Sequence, residues 1–492
     1  VLPPAPPKGG VKTQEQGTLP SLSAASEATL PPTLEGAAHF RFLHQAKDFG
    51  QPDAIDWNYP AFGKLWTYHL NYFEYLRQPG LDPALGYALV EAWMAAEATH
   101  RDGWEPYPIS LRLVNWLHFY GRQGHRCLPP SVHTSVARQY FTLLRKVEYH
   151  LGGNHLLENA LALSLTSRYL NDGPGRQRAD NLLRAELREQ YYPDGGHYEL
   201  SVMYHLILLW RQLDVYAFLP PGDQLRVTLH TTLEKQLAWL LAMLSPSAHY
   251  PHFNDSSPGV APPPQQVLAY ARQLGFSPAA GILKDSGYRR WRTDRLDVWI
   301  DAAAIGPDHQ PGHAHADNLT FVVHLDGQPV IVDAGSGTYE KDARRAWERS
   351  TAAHNTVVVD GKNSSDVWGG FRVGRRARTT LVAESMDTLS ARHGGYPGHH
   401  RRTFQLVEGG LQIHDELRPR TSATAYLHFQ AGLAVELRPG NALVGGLSLH
   451  WPANPARLTD YQQALSWNRW QAAQCLEIDF TGSLTLNIHP TT

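Results

Sequence analysis

Four stretches of the chain gather the residue types that acid–base catalysis and metal binding use. The densest is GHAHADNLTFVVHLDGQPVIVDAG, residues 312–335. His313 and His315 are two apart, so on an extended segment their side chains share one face. Asp333 closes the strand-like run VIVDAG, and His354 opens HNTVVVDG. Two imidazoles and one carboxylate, delivered from neighbouring strand ends, make a nitrogen–oxygen donor set that suits zinc rather than calcium or magnesium. A lone histidine is more often structural. The HxHxD spacing, followed by Asp and His at later strand ends, is what points to a site.

The second stretch, YYPDGGHYELSVMYH at 191–205, places Asp194, His197, Tyr198, Glu199, Tyr204 and His205 after a turn and on an amphipathic segment. The alternative is a core tyrosine and a surface histidine. The third, GGNHLLEN at 152–159, sets Asn154 and His155 behind two glycines at a helix start, where Asn could simply cap the helix. The fourth, WEPYPISLRLVNW at 104–116, holds Trp104, Tyr107, Arg112 and Trp116. Arg112 and Trp116 are four apart and share one face of a helix. Arginine among aromatics suits a carboxylated or sulfated sugar, although an arginine binding neighbouring carbonyls would look the same.

These residues need two kinds of scaffold. From about 37 to 280 the apolar positions recur at helical spacing, as in LGYALVEAWMAAEA, SLRLVNWLHFYGR and LEKQLAWLLAML, with Pro and Gly at the joins. About ten helices are expected to pack in pairs around a common core, for which a toroid is one solution. Near 285 the period changes to short β-branched or alternating runs such as LDVWIDAA, LTFVVHL, GLQIHDEL and LTLNIH, the pattern of an antiparallel sandwich. The expected divisions are a Pro/Ser-rich leader at 1–36, a helical domain at 37–284 and a sandwich at 285–492. Both domains are expected to contribute to one cleft.

Composition sets the outer limits. A chain of 492 residues suits two or three domains. A net charge of −2 favours neither nucleic acid nor an anionic membrane, while leaving room for a local basic groove. The 14 Trp and 22 Tyr suit stacking on pyranose rings, although most such residues fill core. Two cysteines, Cys127 and Cys475, exclude a disulfide framework and a cysteine-based zinc site. No apolar run is long enough to span a bilayer and no signal peptide is visible.

The motifs EPYPISLRLVNW, GNHLLEN, DGGHYELSVMYH, FNDSS, GHAHADNLTF, VDAGSGTY and HNTVVVDG, in that order over roughly residues 60–365, resemble those of the heparinase II/III-like polysaccharide lyases, which include heparin, heparan sulfate and alginate lyases. The resemblance implies an α+β multidomain fold, an N-terminal incomplete (α/α) toroid followed by a C-terminal antiparallel β-sandwich. It also implies β-elimination on a uronic-acid polysaccharide, with a C4–C5 double bond in the product. Carried over by motif, Asn154 and His155 grip the uronate carboxylate, Tyr204 acts as base, acid or both, and His313 is its partner. His315, Asp333 and His354 match the structural metal triad. Trp104, Tyr107, Arg112, Glu199, His205 and Tyr339 are candidate substrate contacts. The implied partner is an acidic polysaccharide. A periplasmic or secreted location is expected. Two rivals keep the same cleft: a glycoside hydrolase using carboxylates such as Asp194, Glu199 or Asp255, and a non-catalytic glycan-binding protein of exopolysaccharide assembly.

Overall fold

The computed structural model describes residues 17–19, 31–419, 421–452 and 454–491. Most of the expected leader lies outside them. The chain forms two compact units, neither continuous in sequence. The first comprises 1–190, 206–237 and 262–278, and the second 191–205, 238–261 and 279–492. Two segments inside the span read as helical, 191–205 and 238–261, therefore cluster with the sandwich unit. They contain the loops that carry DGGHYEL and FNDSS, together with one end each of two helices.

The first unit opens not on a helix but on a small antiparallel sheet, β1 (Leu34–Glu35), β2 (His39–Phe42) and β3 (Gln45–Asp48). Helices follow: α1 (Gly63–Tyr72), α2 (Pro83–Ala95), α3 (Pro106–Arg122), α4 (Pro130–Arg145), α5 (Gly153–Tyr169) and α6 (Gly173–Glu189). After them come α7 (Val202–Phe218), α8 (Gln224–Met243) and α9 (Pro264–Gln273). Their starts carry the expected chemistry. Asp82 and Asp172 cap α2 and α6 by accepting from the backbone N–H of Ala84 and Gly175, and prolines occupy the first turns of α2, α3, α4, α6 and α9. α3 is buried along almost its whole length, the polar Arg112, Asn115 and His118 included, and packs against α1, α4 and α5.

The second unit is antiparallel. β4 (Tyr288–Arg292), β5 (Leu296–Asp301), β6 (Phe321–Leu325) and β7 (Gln328–Ile331) form one sheet. A short helix, α10 (Ala343–Glu348), precedes β8 (Val357–Val359) and the hairpin of β9 (Asp366–Trp368) and β10 (Arg372–Gly374). β11 (Thr379–Glu384), β12 (Thr388–His393), β13 (His399–Val407) and β14 (Gly410–Arg418) run as a meander into an eight-stranded sheet that continues through Ser483–Pro490, Leu447–His450, Asn441–Val444 and Val435–Arg438. β15 (Ser422–His428) pairs with β8. On β14 the alternation is direct: Leu411, Ile413 and Leu417 are buried while His414 and Arg418 are exposed. The inward residues of these sheets merge with Val298, Phe321, Ile331 and Leu427 into one apolar core. Both cysteines are free, Cys475 buried and Cys127 exposed. Among the described residues no helix is long and apolar enough to cross a membrane.

Candidate active site

In the sandwich unit, segments distant in sequence converge on the carboxylate of Asp255. The guanidinium of Arg345, on α10, grips it with both terminal nitrogens, Nη2 lying 2.7 Å from Oδ2. His313 Nδ1 donates to Oδ2 at 2.9 Å, His315 Nε2 to Oδ1 at 2.9 Å and the Ser336 hydroxyl to Oδ1 at 2.8 Å. HAHAD is not a strand. It is an irregular loop, and its two histidines share a side because both reach the same carboxylate. The loop is held by the Asn254–Asp255 backbone, where Asp255 N–H donates to His313 C=O and the Asn254 side chain accepts from His315 N–H. Asn254 adopts φ 55°, a left-handed conformation that Asn tolerates. Burial alone would raise the Asp255 carboxyl. The Arg345 charge, with the two imidazole hydrogen bonds, instead holds it well below the usual carboxylate range.

Tyr204 stands in the first turn of α7. Ser201 caps that turn by accepting from Tyr204 N–H, and its own hydroxyl donates to the Asp255 carbonyl. The Tyr204 ring lies 4.1 Å, centroid to centroid, from His313, and its hydroxyl is 2.9 Å from that of Tyr339. Tyr339 also comes within 3.4 Å of His313 Nδ1, with the Arg345 guanidinium over its ring. Burial pushes both phenols above the ordinary tyrosine range; the Tyr339 hydroxyl and the Arg345 charge offset this only in part at Tyr204. Because His313 donates through Nδ1, the assigned tautomer leaves Nε2 as the nitrogen that can accept a proton, and Glu199 Oε2 lies 3.8 Å from it. The unit thus brings together Tyr204, His313, Tyr339 and Glu199 from the expected set.

A second cluster lies in the helical unit. α5 starts at Gly153, after Gly152 at φ 62°, so Asn154 falls inside the first turn and is not the capping residue. His155 is oriented by Glu148, 3.2 Å from its Nδ1, and its ring packs 4.4 Å from that of Tyr107. Tyr107 in turn packs on Tyr72, with Tyr68 beside them.

Three expected substrate contacts are engaged inside their own units. Arg112 is fully buried. Its donors reach Gln139 Oε1, Asn71 C=O and Gly103 C=O, and it stacks 3.9 Å from Trp93. Trp104 is buried against Trp93 and donates to Glu97 C=O. His205 is buried against Trp239. Each is buried against neighbours of its own unit, which adjacency in sequence does not reveal. Arg345, by contrast, had no signal, since EKDARRAWER looks like a solvated charged run, while Ser336 lay within the VDAGSGTY motif without being singled out.

At the expected metal set, His354 Nδ1 donates to Asp333 Oδ2 at 2.8 Å, and the His315 and His354 rings are 5.3 Å apart. His315 Nδ1, His354 Nε2 and Asp317 Oδ2 are buried without a hydrogen-bond partner. Two lone-pair nitrogens on imidazoles whose other nitrogens donate to carboxylates have the donor chemistry of a metal site. Among the described residues, however, no three His, Cys, Asp or Glu side chains converge to hold an ion.

Residues 136–272 match the heparinase II/III N-terminus and residues 277–472 the heparinase II/III-like C-terminal domain. A heparin-sulfate lyase of Bacteroides stercoris is 25% identical over 375 residues, covering 67% of this chain and 54% of that protein. One of Pedobacter heparinus is 27% identical over 294 residues, covering 52% and 42%. The chain thus spans about half the length of the curated relatives it matches. A crystal structure of heparinase III superposes with a TM-score of 0.73 at 16% identity, covering 98% of this chain and 88% of that one, which shows the shared fold of incomplete (α/α) toroid and antiparallel β-sandwich. With both halves matched in order, this chain belongs to the heparinase II/III-like family.

Proposed function

We propose that the chain is a polysaccharide lyase that cleaves a uronic-acid-containing polysaccharide by β-elimination. The observation that carries this reading is the triplet of Tyr204, Tyr339 and His313, two hydroxyls and an imidazole in mutual contact, with the imidazole fixed from behind by Asp255 and Arg345. Elimination needs a base at C5 and an acid at the leaving oxygen. The C5 proton passes to the base, its electron pair forms the C4–C5 double bond, the C4–O bond breaks, and the departing oxygen takes a proton. His313 Nε2 is the base in this scheme. Tyr204, protonated because burial raises its phenol, is the acid, with Tyr339 positioning its hydroxyl. For the other C5 epimer the roles can fall on Tyr204 alone. Asn154 and His155 keep the carboxylate-binding role, which their place in the first turn of α5 supports, since the positive end of a helix favours an anion as it gains charge.

A hydrolase would need a pair of free carboxylates. Asp255 is fully engaged, and Asp194 accepts from Lys284 N–H, Ser286 N–H and the Ser286 hydroxyl, so it closes a loop. Asp194, Glu199 and Asp255 therefore supply no free pair. The test is to incubate the chain with heparin, heparan sulfate, alginate and chondroitin sulfate. A rise in near-ultraviolet absorbance from the unsaturated product is expected on at least one. New reducing ends without that absorbance would replace this reading with hydrolysis, and binding without cleavage would favour the glycan-binding protein. An acidic polymer of this kind is met outside the cytoplasmic membrane, so the reading carries a periplasmic or secreted location.

We also propose one structural divalent ion, zinc, at His315, Asp333 and His354. The buried, unpartnered Nδ1 of His315 supports it. Binding would require Asp333 and His354 to exchange their mutual hydrogen bond for the ion, since the three side chains do not converge among the described residues. The ion would fix the HAHAD loop from which His313 projects. Elemental analysis is expected to find about one zinc per chain, and both chelator and His315→Ala are expected to lower the melting temperature. Metal-free protein with unchanged melting in chelator would overturn it.

A further inference from the structure

The hairpin of β9 and β10 is not used by the chemistry above, yet it reaches the same residues. Its turn, Gly369 and Gly370, takes φ of 59° and 81°, a left-handed pair that glycine allows. Arg345 donates to the Gly370 carbonyl through Nε at 3.1 Å and Nη2 at 3.0 Å, so the cation that holds Asp255 also anchors the turn. The next residue, Phe371, sets its ring 5.0 Å from Tyr339 and 5.9 Å from His313. On the other side of the turn Trp368 is 49% exposed. A Cβ on Gly374 would lie 3.1 Å from its ring, so the missing side chain at 374 lets one edge of the indole lie close against the hairpin. An exposed tryptophan held this way presents an open aromatic surface, with no ring contact to it among the described residues, and such surfaces mark binding sites.

Beside it is a cavity of about 110 Å³ lined by Lys341, Asp342, Arg345, Arg349, Trp368 and Gly370. Three of its charges are committed. Arg345 holds Asp255, Arg349 donates to the Ala314 carbonyl, and Asp342 caps α10 by accepting from Arg345 N–H. Lys341 is exposed and forms no ion pair among the described residues, and the same holds for Arg372, which is paired across the hairpin with Trp368. Arg372 begins the run RVGRRAR, in which Arg375 pairs with Asp366 and Arg376 with Asp308.

We propose that Trp368, Lys341 and Arg372 form a subsite for an acidic sugar unit next along the polymer from the one beside Tyr204 and His313. Trp368 stacks on the apolar face of the pyranose, and Lys341 and Arg372 meet its anionic substituent, a carboxylate or a sulfate. The inference rests on the lyase reading, but it is tested by binding rather than by turnover. Affinities of the full chain for alginate, whose only anions are carboxylates, and for heparin, which also carries sulfates, are measured for wild type, Trp368→Ala, Lys341→Ala and Arg372→Ala. Trp368→Ala is expected to weaken binding about tenfold, the upper scale of one aromatic contact. The two cation variants are expected to weaken it at low salt and to converge with wild type at high salt. Melting temperatures should be unchanged, since all three side chains are exposed. Loss with both polymers assigns a carboxylate, and loss with heparin alone assigns a sulfate. Affinities equal to wild type for all three variants, or no binding of either polymer, would overturn the subsite. Weakened binding in the variants without any unsaturated product from wild type would keep the subsite and reject the lyase reading. Product formation with unchanged affinities would do the reverse.

Discussion

Tyr204→Phe is expected to lower turnover by about 100-fold or more, the usual scale for a lost acid–base group. The substitution removes one hydroxyl and keeps the ring that packs on His313, so the fold should survive. Polymer affinity should remain near that of wild type, because the carboxylate and stacking contacts do not involve the hydroxyl. The same variant leaves the Tyr339 hydroxyl without its 2.9 Å partner, a small local cost that a melting curve would register separately from turnover. Burial raises the Tyr204 phenol, so at neutral pH it carries its proton, which suits delivery to the leaving oxygen. Rates and affinities measured on the polymer that wild type cleaves decide the matter. Full turnover in Tyr204→Phe would refute the acid role and pass it to Tyr339, the other hydroxyl in the triplet.

Arg345→Met is expected to have the largest effect on stability. Its guanidinium makes the only ion pair to Asp255 from an arginine or lysine among the described residues, and both groups are buried. Removing the cation leaves a buried anion with only neutral donors, which typically costs about 3–5 kcal/mol. The loss should appear as a lower denaturant midpoint for the sandwich unit, followed by near-UV circular dichroism. Activity should fall as well, because Asp255 orients His313 and Arg345 holds Asp255. A double replacement, Arg345→Met with Asp255→Leu, removes both charges and should recover part of the stability while remaining inactive. An Arg345→Met protein with the midpoint of wild type would show that the pair does not hold the loop together.

Much of the site was legible because motif residues carry local signals. DGGHYELSVMYH announced a turn followed by a helix, and α7 does begin at Val202, which places Tyr204 in its first turn. HAHAD announced two histidines with a common direction, and they do share one. The reason differed: a carboxylate from residue 255 attracts both imidazoles, and no strand is involved. The helical and β-sheet halves followed from hydrophobic period alone, since a 3.6-residue stripe and a two-residue alternation cannot both satisfy one element.

What sequence by itself determined was the class of each element, the family, and the identity of the groups with chemistry to offer: Tyr204, His313, Asn154, His155 and the histidine–aspartate set. Only the tertiary structure decided which of those groups face one another. Arg112, Trp104 and His205 have the same residue types and motif neighbours as the candidate site residues, yet they are buried against neighbours of their own unit. Whether a polar side chain is satisfied by protein or left for a ligand depends on acceptors that are remote in sequence, such as Asn71, Gly103 and Gln139 for Arg112. Arg345 lies 90 residues from the aspartate it neutralises, in a run that looks like a solvated surface. Pairing across such a distance is set by how loops close on a shared buried charge, and no local pattern encodes it.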